Sequence, residues 1–170
     1  MNWAAFGAIG EVVGAAAVFL TLFYFAIQIR NNSASQKSIT ADAIYKEWRE
    51  HQRETYITQP QNIELYVRGL MDFDSLPDNE KRHLNFILSS EWLFIENVIR
   101  QYQYGQVGVE MYDAWMGFFT SQLNTSGGAN WWQQTRSAFS PEMVETMESY
   151  AASADIKKTV FDDVPYFVPK

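Results

Sequence analysis

The first thirty residues are almost entirely apolar, whereas the rest of the chain mixes apolar and polar positions. Glu11 is the only charged residue before Arg30. A helix of about 20 mostly apolar residues is long enough to cross a bilayer. The pattern therefore predicts a transmembrane anchor over residues 1–30, a soluble domain over residues 31–154 and an irregular tail over residues 155–170.

Beyond the anchor, apolar residues recur every three or four positions, which is typical of amphipathic helices. The alternation that marks a β-hairpin is absent from the sequence. Asn62 is interpreted as a helix N-cap, Gly127-Gly128 as a break, and Ser140-Pro141 as the start of a helix. The predicted fold is all-α, with one transmembrane helix followed by a bundle of about five or six helices. The predicted helices cover residues 34–57, which can continue directly from the anchor, and 63–71, 79–104, 109–124, 129–139 and 141–152.

One side of the predicted anchor carries small or polar residues, here named the small-residue face. Small residues let two membrane helices approach closely, and hydroxyl or amide groups can bond across the contact. Glu11 flanks this face, and an ionisable side chain at membrane depth costs about 2.5–3.5 kcal/mol on insertion scales. A single span has no second helix of its own to cover Glu11, so we predict a helix–helix interface with another chain. Its residues are Gly7, Gly10, Glu11, Gly14, Ala17, Thr21, Tyr24 and Gln28.

The alternative is a plain anchor in which Glu11 lies near the lipid headgroups.

The charge of the soluble domain limits the kinds of partner that it can bind. The net charge is −7, and Glu11 cancels Arg30, so the whole excess follows residue 30. An acidic domain is poorly suited to nucleic acid, because phosphate binding needs clustered Lys and Arg. Arg30 and Lys37 follow the span and no charge precedes Glu11, so the positive-inside rule predicts an outside N-terminus and a cytoplasmic domain.

Metal and cofactor chemistry finds little support in the sequence. The chain has no cysteine, which excludes disulfides and thiol catalysis. Di-metal helical bundles need Glu-x-x-His on two helices, and Glu80-Lys-Arg-His83 supplies it once. His51, with Glu47, Glu50 and Glu54 nearby, is interpreted as part of an exposed charged face. No metal, cofactor or catalytic residue is predicted.

Three further features can carry a site. Glu91 and Glu96 lie in the most apolar helix but do not share one face, because they are five positions apart. One of them can be buried and paired with Arg68 or Arg100. The pair Trp131-Trp132 is a candidate docking platform, although packing in the core is favoured.

Five short sequence features are notable together. They are Ile9-Gly10-Glu11-Val12-Val13-Gly14, the run from Leu22 to Asn31, Phe94-x-Glu96-Asn97 with Tyr102, Gly127-Gly128-x-x-Trp131-Trp132 and Phe139-Ser140-Pro141-Glu142. Together these features resemble a widespread family of small bacterial proteins with one N-terminal span and a helical cytosolic domain. That resemblance implies the topology, the fold class and the bacterial inner (cytoplasmic) membrane, and it supplies no activity.

The leading functional hypothesis is a membrane-anchored assembly protein without catalytic activity. Its partners would be the lipid bilayer and either a second copy of itself, as a homo-oligomer, or another membrane protein, as an accessory subunit of a larger complex. One alternative is a homo-oligomeric channel or ion-conducting ring lined by Glu11. The other is an enzyme or ligand-binding helical bundle that uses His83, Glu91 and Glu96.

Overall fold

The computed structural model describes residues 3–153 and 158–163, which form seven α-helices and no strand. The all-α prediction is therefore confirmed for these residues. Contacts divide the chain into two compact units, Met1–Ala41 and Asp42–Lys170. The helices are α1 (Trp3–Gln52), α2 (Gln61–Met71), α3 (Asp78–Gln103), α4 (Val109–Leu123), α5 (Ser126–Thr135), α6 (Pro141–Ser153) and α7 (Val160–Asp163), with a π-helical turn at Arg53–Ile57 and a 3₁₀ turn at Arg136–Ala138.

Helix α1 joins the predicted anchor to the next predicted helix without interruption. No glycine or proline occurs between Gly14 and Pro60, so nothing in this segment breaks the helix. The part of α1 that begins at Gly10 is long and apolar enough to cross a membrane, judged by length and composition. It is the one such helix among the described residues and is a candidate span.

Trp92 in α3 lies at the centre of the second unit's core. Its ring centroid is 4.6 Å from that of Trp132 and 5.6 Å from that of Phe119, so α3, α4 and α5 meet around it. The indole N–H of Trp92 donates to Oε1 of Gln122 at 3.3 Å. This bond satisfies the one polar group of a fully buried ring.

Gly127 and Gly128 lie inside the first turn of α5, so the predicted break at these residues is wrong. The backbone N–H of Gly128 donates to Oγ1 of Thr125 at 3.0 Å, which caps the helix. A Cβ atom at Gly127 would lie 1.9 Å from the carbonyl oxygen of Gly69. Glycine is needed here because the backbones of α2 and α5 approach each other closely, and not because the chain turns.

The two predicted helix starts have different outcomes. Asn62 is buried inside α2, where its Nδ2 donates to the carbonyl of Thr55 at 2.8 Å, so the N-cap prediction is wrong. Its side chain instead ties α2 to the π-helical turn before it. The start at Ser140-Pro141 is confirmed, because Oγ of Ser140 accepts the backbone N–H of Met143 at 3.3 Å.

Part of the predicted irregular tail is ordered into α7. Val160 is buried, and Phe161 packs partly buried against the core, as the sequence suggests. Tyr166 and Phe167, for which the same packing is predicted, lie outside the described residues. Leu93 is exposed although its spacing predicts a core position.

Candidate functional site

The residues of the small-residue face all lie in α1 and are exposed. A Cβ atom built at Gly7, Gly10 or Gly14 meets nothing within 4 Å. Packing among the described residues of the first unit therefore gives no reason for glycine at these positions, although glycine costs about 1 kcal/mol relative to alanine inside a helix.

The polar groups at the other end of this face are bonded within α1. Oγ1 of Thr21 donates to the carbonyl of Ala17 at 2.8 Å, and Nε2 of Gln28 donates to the Tyr24 hydroxyl at 2.9 Å. Glu11 is exposed, and its side chain makes no hydrogen bond or ion pair with the described residues of the first unit. Among the described residues of the first unit, Glu11 is thus the charged group of the face that has no partner.

A cavity of about 340 Å³ lies in the second unit, where the end of α1, the π-helical turn, α2, α3 and α4 meet. We name it the Glu91 cavity. Its walls are mostly aromatic, and Glu91 is its one acidic lining group. The lining residues are Trp48, Gln52, Tyr56, Ile63, Tyr66, Glu91 and Phe118.

Glu91 is 1% exposed, and its two carboxylate oxygens have different surroundings. Oε1 accepts a hydrogen bond from the Tyr56 hydroxyl at 2.7 Å and lies 3.5 Å from Nε2 of His51. Oε2 has no hydrogen-bond partner among the described residues. A buried carboxylate oxygen without a donor is costly, so this atom can serve to receive one from a ligand.

Both tyrosines of the Glu91 cavity are held in the protonated form. Burial raises the pKa of Tyr56 far above its ordinary value, and the negative charge of Glu91 raises it further. Burial and the Glu91 charge also raise the pKa of Tyr66. The Tyr56 phenol is therefore a neutral donor at physiological pH, and its bond to Glu91 does not cancel the carboxylate charge.

The π-helical turn positions the groups around Glu91. The N–H of Thr58 donates to the carbonyl of Arg53 at 2.9 Å, five residues back, which gives the turn one more residue than an α-helical turn. His51 stacks on Trp48 with ring centroids 5.7 Å apart, and the Tyr56 ring meets that of Tyr66 edge-on at 5.7 Å. Turns of this kind are frequent at functional sites.

Of the three residues predicted for a ligand-binding bundle, the cavity contains Glu91 alone. His83 is exposed, and Glu96 is half-buried with an oxygen 3.6 Å from a guanidinium nitrogen of Arg100. The predicted pairing of one glutamate with Arg100 is thus found at Glu96. Arg68 lies 2.8 Å from a carboxylate oxygen of Glu80.

His51 and Tyr56 are the site residues that sequence reasoning missed. The side chain of His51 is 21% exposed and faces Glu91, so its assignment to an exposed charged face is wrong. The burial of Glu91 could have been predicted, because it lies seven residues after Leu84 and four before Ile95 on the apolar side of α3. The identity of its partners could not be predicted, because His51 lies at the far end of another helix and Tyr56 lies in the π-helical turn after it.

Trp131 and Trp132 are 1% and 3% exposed. The indole N–H of Trp131 donates to Oδ1 of Asn85 at 2.9 Å, and that of Trp132 donates to Oε1 of Glu148 at 3.2 Å. A docking platform must present its rings to a partner, so that interpretation is wrong. Both residues pack in the core, as the favoured alternative predicts.

Comparison of the chain with protein-family models, with curated proteins and with solved structures finds no match. The family resemblance drawn from the sequence therefore stays a prediction. Among the described residues, no group of three or more His, Cys, Asp or Glu side chains is arranged to hold a metal ion.

Proposed function

We propose that this chain is a single-pass membrane protein that assembles with another membrane helix through its small-residue face. The partner is a second copy of the chain or a subunit of a larger membrane complex, and the protein has no catalytic role. The observation that carries the proposal is Glu11, an exposed and unpaired carboxyl on an otherwise apolar stretch of α1. In a bilayer, a partner helix would cover it.

The physical reason is the cost of leaving Glu11 against lipid, about 2.5–3.5 kcal/mol on insertion scales. A neighbouring helix removes that cost by covering the side chain or by supplying a donor to it. The open surroundings of Gly10 and Gly14 support the same conclusion, because a second helix can approach closely where no Cβ stands in its way.

The proposed location is the bacterial inner membrane, with the N-terminus outside and the helical domain in the cytoplasm. Arg30 and Lys37 support this orientation, because basic residues near the end of a span favour the cytoplasmic side. The family resemblance supports the bacterial membrane. Cysteine labelling from outside, with single cysteines placed at Asn2 and at Ser38, tests the orientation. Labelling of the second position in intact cells would contradict it.

The test of assembly is the mass of the particle extracted from its own membrane in mild detergent, with every polypeptide in it identified. We expect either a multiple of the 19.6 kDa chain or a defined complex with other membrane proteins. Glu11→Leu should change the particle size, whereas Val12→Leu, one position along the same helix, should leave it unchanged. A particle that contains one copy of the chain alone would overturn the proposal.

A further inference from the structure

We propose that the Glu91 cavity binds a small organic ammonium ion. An N–H group of the ion donates to Oε2 of Glu91, and the apolar part of the ion lies against the aromatic walls. The site belongs to the second unit alone and does not depend on the function proposed for the anchor.

The negative charge of Glu91, a lining residue of the cavity, favours a cation as the ligand. The Tyr56 hydroxyl bonds to Oε1 of Glu91 but brings no positive charge, and Oε2 has no donor among the described residues. His51 lies 3.5 Å from Oε1 and would offset the charge only in its protonated form. A ligand that brings both a positive charge and an N–H donor satisfies both needs of the buried carboxylate.

The lining favours an organic ion over a metal ion. Mg²⁺ and Ca²⁺ take six or more oxygen ligands, whereas among the lining residues only Gln52, Tyr56, Tyr66 and Glu91 have a side-chain oxygen at all. A quaternary ammonium ion has no N–H to give to Oε2. The chemical class that fits is therefore a protonated primary, secondary or tertiary amine.

The aromatic walls suit the rest of such a ligand. Trp48, Tyr56, Tyr66 and Phe118 line the cavity, and the rings of Trp48 and Phe118 are 5.9 Å apart. Aromatic faces attract ammonium groups and also pack against an apolar chain or ring. A volume of about 340 Å³ lies at the small end of the range for ligand sites. The ligand should thus carry a short alkyl or single-ring body.

The test uses three probes of similar size, namely 2-phenylethylammonium, 2-phenylethanol and 3-phenylpropionate, titrated calorimetrically into the full chain in lipid nanodiscs. We expect the ammonium probe to bind, and the neutral and anionic probes to bind at least about tenfold more weakly. Glu91→Gln keeps the shape of the side chain and removes its charge. This substitution should lower the affinity for the ammonium probe by about 10- to 100-fold, the usual range for loss of a charged hydrogen-bond partner.

The matched control is Glu96→Gln, which removes a carboxylate from the same helix outside the cavity and should leave binding unchanged. Ile63→Trp is a second variant, in case Glu91→Gln fails to fold. Ile63 lines the cavity but is 40% exposed, so a larger side chain can narrow the cavity without overpacking the core. Binding should be lost in this variant.

Four results would overturn the proposal. They are no binding of the ammonium probe to the unmodified chain at millimolar concentration, equal binding of the alcohol, full affinity in a folded Glu91→Gln variant, and full affinity in Ile63→Trp.

Discussion

The helical glycines of the two compact units meet different surroundings. In the first unit, a Cβ atom added at Gly7, Gly10 or Gly14 would have nothing within 4 Å. In the second unit, a Cβ atom would collide with a neighbour at each of the three buried glycines, Gly69, Gly127 and Gly128. Packing within the chain therefore explains the buried glycines of the second unit, whereas the glycines of the first unit have no such explanation. A partner helix, as proposed above, would supply a packing reason for the glycines of the first unit.

The glutamates that lie among apolar residues differ in the same way. Glu91 of the second unit is buried and receives a hydrogen bond from Tyr56. Glu11 of the first unit is exposed and has no such donor among the described residues of its unit. Glu91 thus has an internal donor at Oε1, whereas Oε2, the atom that the ammonium proposal uses, has no hydrogen-bond partner among the described residues.

Gly127→Ala gives the largest expected effect. The added carbon would lie 1.9 Å from the Gly69 oxygen and 2.8 Å from backbone atoms of Leu70, which cannot move without shifting α2. We expect the free energy of unfolding to fall by about 3 kcal/mol, as for severe overpacking. Urea unfolding of the full chain, followed by tryptophan fluorescence, measures it.

The control is Gly117→Ala, in the exposed side of α4, where a Cβ atom meets nothing within 4 Å. It should stabilise the chain by up to about 1 kcal/mol, because alanine favours the helix. Equal stability of the two variants would mean that α2 and α5 do not approach as closely as described.

Tyr56→Phe should have the next largest effect, because it leaves Oε1 of Glu91 buried without its donor. We expect the free energy of unfolding to fall by about 2 kcal/mol, which is within the usual cost of an unsatisfied buried polar group. Tyr104→Phe is the control, since Tyr104 is 70% exposed and the change should stay within about 0.5 kcal/mol. An unfolding midpoint unchanged by Tyr56→Phe would show that the Glu91 carboxylate is not held by this bond.

These two predictions also mark the limit of sequence reasoning here. The helical period gives α3 almost completely, since the predicted range 79–104 differs by one residue at each end from Asp78–Gln103. The same period places Glu91 on the apolar side of that helix. It does not reveal the partners of Glu91, because Tyr56 is 35 residues away and lies within a π-helical turn that shifts the regular helical spacing.

Glycine positions show the same limit. A glycine pair usually indicates a break between helices, and the local sequence around Gly127-Gly128 therefore predicts one. In the fold, the close contact of α5 with α2 is the reason for glycine at position 127. A contact between segments that are distant in the sequence leaves no local signal. Ser140-Pro141 could be predicted because a cap depends on its immediate neighbours.

Gly14→Leu tests whether the open glycines of the first unit serve association with another helix. A Cβ atom at Gly14 has no described residue within 4 Å, so we expect the far-ultraviolet circular dichroism and the unfolding midpoint of the second unit to stay unchanged. Association should weaken about tenfold, or ~1.4 kcal/mol, if a second helix approaches at this position. Analytical ultracentrifugation in detergent, or recovery of partner subunits, measures this.

Ala16→Leu is the matched control for Gly14→Leu. Two residues further along, it lies about 200° around the helix from Gly14 and therefore on the other side. It adds the same side chain to the same exposed helix and should leave association unchanged. An equal loss of association in both variants would mean that any larger side chain in the span weakens assembly, and that the small-residue face has no special role.

The smallest effect concerns Glu148, a surface carboxylate whose partners lie within the chain. Hydrogen bonds from Arg136, at 2.6 Å, and from Trp132 hold the pKa of Glu148 below its ordinary value of 4.5. A carboxyl group with a lowered pKa stabilises the fold at pH values above its ordinary pKa. This contribution disappears as the pH falls through the lower pKa of the folded state. Because the pair is open to solvent, Glu148→Gln should cost less than about 1 kcal/mol at neutral pH.

The difference between Glu148→Gln and the unmodified chain should therefore shrink as unfolding is measured at successively lower pH, and the exposed Glu145→Gln should show no comparable trend. A difference that grows on acidification would contradict this prediction. It would mean that Glu148 stabilises the fold mainly in its protonated form, and that the hydrogen bonds from Arg136 and Trp132 do not favour the charged carboxylate.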